Sequence, residues 1–149
     1  MRKLSLFLLV AVSLGACKKD SDSAAPTPSR TDLLTAKNWR LTTATISVSG
    51  FPLPGAIAAC SLDDFLKFGT DKVLTHDEGA TKCDPTDPQT DKGTWDMPSE
   101  AKLTLALPNS DLPGGTFDIK ELTATTMHLT LTDTSGGIPA TVDITLTAF

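Results

Sequence analysis

The chain has 149 residues, with 10 Gly, 10 Pro, 3 Cys and a net charge of −5. That length allows one ordinary domain rather than two, and a composition of 40% hydrophobic and 21% charged residues excludes a wholly disordered chain. The acidic balance offers no cationic footprint, so no nucleic acid is expected as a partner.

Arg2 and Lys3 precede an apolar run from Leu4 to Leu14, interrupted only by Ser5 and Ser13. A bilayer-spanning helix needs ~20 residues, so this run is too short to cross. A charged start, a short apolar core and small residues at its end read as a signal peptide over residues 1–16. The end, Leu14-Gly15-Ala16-Cys17, resembles the bacterial lipobox. That resemblance implies a diacylglyceryl group on the Cys17 sulfur, which becomes the new N-terminus; an ordinary signal with a chance Cys is the plain alternative. Removal of residues 1–16 leaves 11 Lys and Arg against 18 acids, a net charge of −7. Acyl chains such as palmitate contribute ~0.8 kcal/mol per buried CH₂, and two or three of them anchor stably. The mature protein is expected to sit on the outer membrane through acylated Cys17 without crossing it.

Cys17-Lys18-Lys19-Asp20-Ser21-Asp22 opens the mature chain. Basic residues followed by acids here resemble the export signal of surface lipoproteins in some Gram-negative lineages, while a solvated tether is the bland reading. Asp20–Ser29 is Ser, Ala, Pro, Thr and Asp, which cannot bury apolar area. Residues 17–30 are therefore expected to form a flexible acylated tether, and residues 31–149 the folded domain.

Ser29 or Thr31 can cap a short helix that runs through Leu34 to about Lys37. After it, strands are expected near Asn38–Ser49, Leu62–Phe68, Lys72–Asp77, Gly93–Met97, Lys102–Leu107, Thr116–Leu122, Thr126–Thr132 and Thr141–Ala148. The last four alternate cleanly: Leu103, Leu105 and Leu107; Phe117 and Ile119; Met127, Leu129 and Leu131; Val142, Ile144 and Leu146. Period two means one buried and one wet face. The wet face is Thr, Asp and Lys, which excludes a transmembrane barrel with an apolar outer band. In the first strand, Trp39 and Leu41 lie on one parity and Ala44, Ile46 and Val48 on the other, which a bulge near Thr42–Thr43 would reconcile.

Eight consecutive antiparallel strands can close into an up-and-down barrel, with a sandwich as the alternative. Three connections are short, at Gly69–Asp71, Pro98–Ala101 and Thr123–Thr125. Gly50–Ser61, Glu78–Lys92, Pro108–Gly115 and Asp133–Ala140 are longer and fall at the other end, where function tends to reside.

The order of these features resembles a bacterial lipocalin-like lipoprotein domain over about Thr31–Phe149. It is carried by Leu34-Thr35-Ala36-Lys37-Asn38-Trp39-Arg40-Leu41, by Cys60–Phe68 running into Gly69-Thr70-Asp71, and by Gly93-Thr94-Trp95. The resemblance implies an all-β, eight-stranded antiparallel barrel with a short N-terminal helix, its base plugged by Trp39. Ala36 or Lys37 stands where the family often has Gly, and no Tyr occurs.

Cys60 and Cys83 remain as an even pair in an oxidising compartment, nearly opposite across the second hairpin. A disulfide is expected; a metal pair or a nucleophile is the alternative, without His spacing to support it. The apolar stretch Gly50–Ala59 must cover something. It can be a lid over a small hydrophobic ligand, held by Phe51, Leu53 and Ile57 above Leu105, Phe117, Leu129 and Ile144, or a cap on a filled barrel.

His76, Asp77, Glu78, Asp84, Asp87 and Asp91 line one mouth loop. Oxygen-rich loops can hold Ca²⁺, but Asp84-Pro85 and Asp87-Pro88 are ordinary turn dipeptides, and a solvated loop is the expectation. Adjacent Asp63 and Asp64 point to opposite faces of a strand and cannot flank one bond. His128 has polar parity and is expected at the surface. No Gly-X-Ser-X-Gly, phosphate loop or zinc-protease helix occurs. The expectation is a monomeric, non-enzymatic protein without metal or cofactor. It binds a small hydrophobic molecule or, alternatively, serves as a solid-cored surface or envelope-structural lipoprotein.

Overall fold

Alternation of period two runs through most of the chain, and the backbone follows it into a single closed sheet. The computed structural model describes residues 27–54, 58–108 and 113–149. The signal, Cys17 and most of the tether lie outside the described residues. The first element is α1 (Arg30–Thr35), opened by a capping box in which the Ser29 side chain accepts from Asp32 N–H and the Asp32 carboxylate accepts from Ser29 N–H. Hydrogen bonds donated to the Asp32 carboxylate by the Ser29 hydroxyl and the Ser29 N–H hold its pKa below the ordinary carboxylate value. Six residues are too few for an independent helix. Burial of Leu34, and a 2.8 Å hydrogen bond donated by Trp39 Nε1 to the Leu34 carbonyl, tie it to the barrel.

Nine strands follow among the described residues: β1 (Asn38–Val48), β2 (Phe51–Leu53), β3 (Phe65–Phe68), β4 (Val73–Asp77), β5 (Thr90–Ser99), β6 (Lys102–Ala106), β7 (Gly115–Leu122), β8 (Thr126–Asp133) and β9 (Ala140–Ala148). Neighbours pair antiparallel in chain order from β3 to β9, and β9 returns to β1 from Trp39↔Ala148 to Val48↔Ala140. The result is a closed eight-stave barrel with very little helix. The ladder shifts between Leu41 and Thr43, which lets Trp39 and Leu41 share an interior with Ala44, Ile46 and Val48. A second shift, between Ile119 and Glu121, keeps Leu122 inward after Ile119.

The second stave differs from the expectation of one strand over Leu62–Phe68. Phe51–Leu53 already pairs with the upper part of β1, through a two-residue hairpin in which Ser49 and Gly50 both have positive φ, 51° and 82°. Such turns match the strand twist, and Ser-Gly is a signal for them. Pro52 has no N–H to donate, and β2 accordingly pairs on one side only. Ala59–Leu62 forms a 3₁₀ turn, and the chain rejoins the wall at Phe65 against the lower part of β1. β5 starts at Thr90, three residues earlier than its alternation suggests, because β4 extends the ladder to Asp77↔Thr90.

The lower barrel is filled. Trp39 is fully buried, and Trp95 packs edge-on against Phe68, with ring centroids 5.6 Å apart, while its Nε1 donates to the Gly69 carbonyl at 3.0 Å. Lys72 covers the outer side of the Trp95 ring at 4.1 Å and pairs with Asp96 at 3.1 Å. Above them, Leu103, Leu105, Phe117, Leu129 and Ile144 are 0–1% exposed.

Gly93 marks the closest approach in the wall. A Cβ there would stand 1.8 Å from the Ala106 carbonyl oxygen, whereas one at Gly136 would meet nothing within 4 Å. Gly93→Ala must separate β5 from β6, so we expect a loss of about 3 kcal/mol or more in urea unfolding. Gly136→Ala should stay within about 0.5 kcal/mol of the wild type in the same measurement.

Candidate functional site

The end of the barrel opposite α1 carries the longer connections and a different interior. The inward parity of β3 runs back from Phe68 through Leu66 to Asp64, and that of β4 runs forward from Leu74 through His76 to Glu78. Leu66 pairs with His76, so one step past the Phe65↔Asp77 pair sets Asp64 opposite Glu78. Three polar side chains thus continue an apolar row at the mouth. Asp64 Oδ2 lies 3.3 Å from His76 Nε2, and one ligand-type atom from each of Asp64, His76 and Glu78 falls within 4.8 Å of the others. Asp91 stands across the β4–β5 ladder from His76.

Asp64 is 9% exposed, and its Oδ1 is buried without a hydrogen-bond partner. Burial, the largest influence, raises the Asp64 pKa above the ordinary carboxylate value; His76 opposes the rise, and Glu78 and Asp63 add to it. Among the described residues no Lys or Arg forms an ion pair with Asp64 or Glu78.

The backbone around the cluster is tied down. Asp63 and Asp64 precede β3 instead of lying within a strand as expected, because Asp63 ends the 3₁₀ turn in a helical backbone conformation; its Oδ2 accepts from Ala80 N–H at 2.7 Å and Thr81 N–H at 3.0 Å. Asp77 Oδ1 accepts from Gly79 N–H and Gln89 Nε2, each at 2.9 Å, while Glu78 N–H donates to the Gln89 carbonyl. Cys60 and Cys83 form a disulfide with Cα atoms 5.2 Å apart, which links the 3₁₀ turn to the loop after β4.

The wall on the other side of the mouth is apolar. Ile46, Val142 and Leu131 lie side by side across β1, β9 and β8, all half-buried. β4 and β8 stand on opposite sides of the closed sheet, so an apolar wall faces the Asp–His–Glu wall.

The other residues singled out in the sequence fall elsewhere. Phe51 and Leu53 sit on the edge strand β2, 75% and 49% exposed, so they do not fold over the mouth as a buried cover. Ile57 and Cys17 lie outside the described residues. Leu105, Phe117, Leu129 and Ile144 belong to the packed interior, and Trp39 lies at the base. Exposed Asp84 accepts from Thr86 N–H and Thr86 Oγ1, which lowers its pKa, and it does not join the cluster. His128 is half-buried on the outer wall, where its Nε2 meets Asp143 Oδ1 at 2.7 Å and Thr130 Oγ1 donates to Asp143 Oδ2. An open groove of about 270 Å³ lies at the closed end between Pro28, Leu33, Ala36 and Ala124.

The alignment of Asp64 with His76 and Glu78 was missed by treating His76, Asp77 and Glu78 as one solvated loop. The signal that finds it is parity, since both residues flanking Asp77 continue the inward row of Leu74. Compared with known proteins, the chain matches no family model and no curated protein.

An Asp whose folded pKa is raised contributes its stability at acid pH and loses it as pH rises through that pKa. Asp64→Asn mimics the protonated form. In chelator-containing buffer, the variant should match the wild type near about pH 4 and exceed it in urea-unfolding stability at about pH 7.

Proposed function

We propose that this chain is a lipid-anchored, extracytoplasmic, non-enzymatic barrel of the lipocalin-like kind, which takes a small molecule with a hydrophobic body at its mouth. The observation that carries this reading is the contrast along the barrel axis. Leu105, Phe117, Leu129 and Ile144 are packed to 0–1% exposure, while inward-facing Ile46, Leu131 and Val142 above them stay half-buried at the rim. An eight-strand barrel is just wide enough to fill with side chains or hold one small ligand, and this one is filled below, while the inward residues of its rim are less completely buried. The lipobox-like Leu14-Gly15-Ala16-Cys17 supports anchoring, and the Cys60–Cys83 disulfide suits an oxidising compartment outside the cytoplasm.

The packed lower interior favours a second reading, a surface or envelope-structural lipoprotein that presents a rigid barrel to a protein partner. The two readings separate by titration. A fluorescent fatty acid added to residues 27–149, which contain the whole closed barrel, should bind saturably and be displaced by unlabelled fatty acid. Val142→Lys on the rim should weaken it by about tenfold or more, since desolvating a charge there opposes binding. Absence of saturable binding leaves the scaffold reading. For the anchor, Cys17→Ser should move the protein from the membrane fraction to the soluble extracytoplasmic fraction; retention on membranes would count against lipidation.

A further inference from the structure

We propose that Asp64, His76 and Glu78 form a binding site for a divalent transition-metal cation of the zinc class, within the rim of the barrel. This goes beyond hydrophobic-ligand binding and does not depend on it.

Three observations converge. The first is placement. The β3–β4 ladder brings together His76 of β4 and the two residues just beyond its Phe65↔Asp77 end, Asp64 before β3 and Glu78 after β4, with ligand atoms within 4.8 Å of one another. The second is an unmet need. Asp64 is nine-tenths buried, yet its Oδ1 has no hydrogen-bond partner. Buried carboxylate oxygens are ordinarily satisfied, and an orphan deserves a cause such as an ion. Two carboxylates face the imidazole, and among the described residues no Lys or Arg pairs with either. The third is metric. The 3.3 Å between Asp64 Oδ2 and His76 Nε2 matches the donor–donor edge, ~3.3–3.4 Å, of a tetrahedron with metal–ligand bonds of ~2.0–2.1 Å. Glu78 offers the third ligand atom, within 4.8 Å of the other two.

The donor set decides the class. Cys60 and Cys83 are consumed in the disulfide, so among the described residues no thiolate competes. One imidazole with two carboxylates suits zinc and its first-row neighbours, whereas Ca²⁺ and Mg²⁺ prefer oxygen alone. Three protein ligands leave a position for water or a solute, as in zinc sites that are not purely structural. The surrounding loop is already held by Asp63, Asp77 and Gln89, so little ordering remains on binding.

The test is calorimetric titration of Zn²⁺ into disulfide-intact residues 27–149 stripped with chelator. We expect one equivalent with a Kd of ~1 μM or tighter. His76→Gln and Glu78→Gln should each weaken it by about 100-fold or more, given that even outer-shell partners cost 10–100-fold. His128→Gln removes the barrel's other imidazole, on the outer wall, and should leave Zn²⁺ affinity unchanged. Zn²⁺ should raise the melting temperature of the wild type and of His128→Gln but not of Glu78→Gln. Glu78 makes no described side-chain hydrogen bond, so its variant keeps the test usable if His76→Gln fails to fold. Lack of saturable Zn²⁺ binding, retention of it in Glu78→Gln, its loss in His128→Gln, or tighter binding of Ca²⁺ than of Zn²⁺ would each overturn the assignment.

Discussion

The ladder between β1 and β9 is the constraint on which the rest of the molecule depends. It joins the first strand to the last along the whole length of β1, from Trp39↔Ala148 to Val48↔Ala140. An open sheet of this sequence would expose two edges and could turn either face inward. Closure removes the main edges and makes parity decide everything: every second residue lies inside, whatever its chemistry. The shift between Leu41 and Thr43 shows how strict that demand is. Without an extra residue there, either Trp39 or Ile46 would face water, and the ladder gives up one regular pair to keep both inside.

Parity then acts on two unlike halves. At the closed end it turns Trp39, Trp95 and Phe68 inward, and both indole N–H groups find carbonyls at the barrel floor. Large aromatic rings with one polar atom each suit a floor, because their N–H groups reach the turns while their rings fill the narrow end. At the open end the same rule turns Asp64, His76 and Glu78 inward, where burial costs free energy instead of supplying it. A fold selected for stability alone would carry aliphatic residues at those positions, as β6 and β8 do. A barrel that keeps a desolvated carboxylate beside an imidazole has given up stability at its mouth, and polar groups held at such a cost are where function is to be sought.

Much of the fold was legible because these strands are amphipathic in the simplest way. Leu103/Leu105/Leu107 and Met127/Leu129/Leu131 announce their faces without ambiguity, the bulge in β1 was visible as a phase slip, and the hairpin register placed Cys60 near Cys83. The second stave was obscured because Pro52 argues against a strand and because two short segments, β2 and β3, share one edge of β1. Phe51 and Leu53 were read as a lid on hydrophobicity alone, but an edge strand can leave apolar side chains in water when its backbone is tied into a ladder. The polar cluster was hidden for the opposite reason. To composition, a polar residue inside a wall looks the same as one in a loop. Only the pairing of Leu66 with His76 tells them apart, and that pairing depends on the length of the Gly69–Lys72 turn.

The axial polarity also bears on orientation. Thr27 and Pro28 lead into α1 at the closed end, beside Ala124 of the β7–β8 turn. The chain therefore enters the barrel at its aromatic floor, and the mouth lies at the far end of the staves. The rim carries the disulfide-tied loops and the carboxylates. Solutes arriving there meet a surface of net negative charge, which concentrates cations near the Asp64–Glu78 wall and repels anions. A hydrophobic solute gains only on the Ile46–Val142–Leu131 side. The two walls thus differ in what they can contact: one offers carboxylates and an imidazole, the other aliphatic carbon alone.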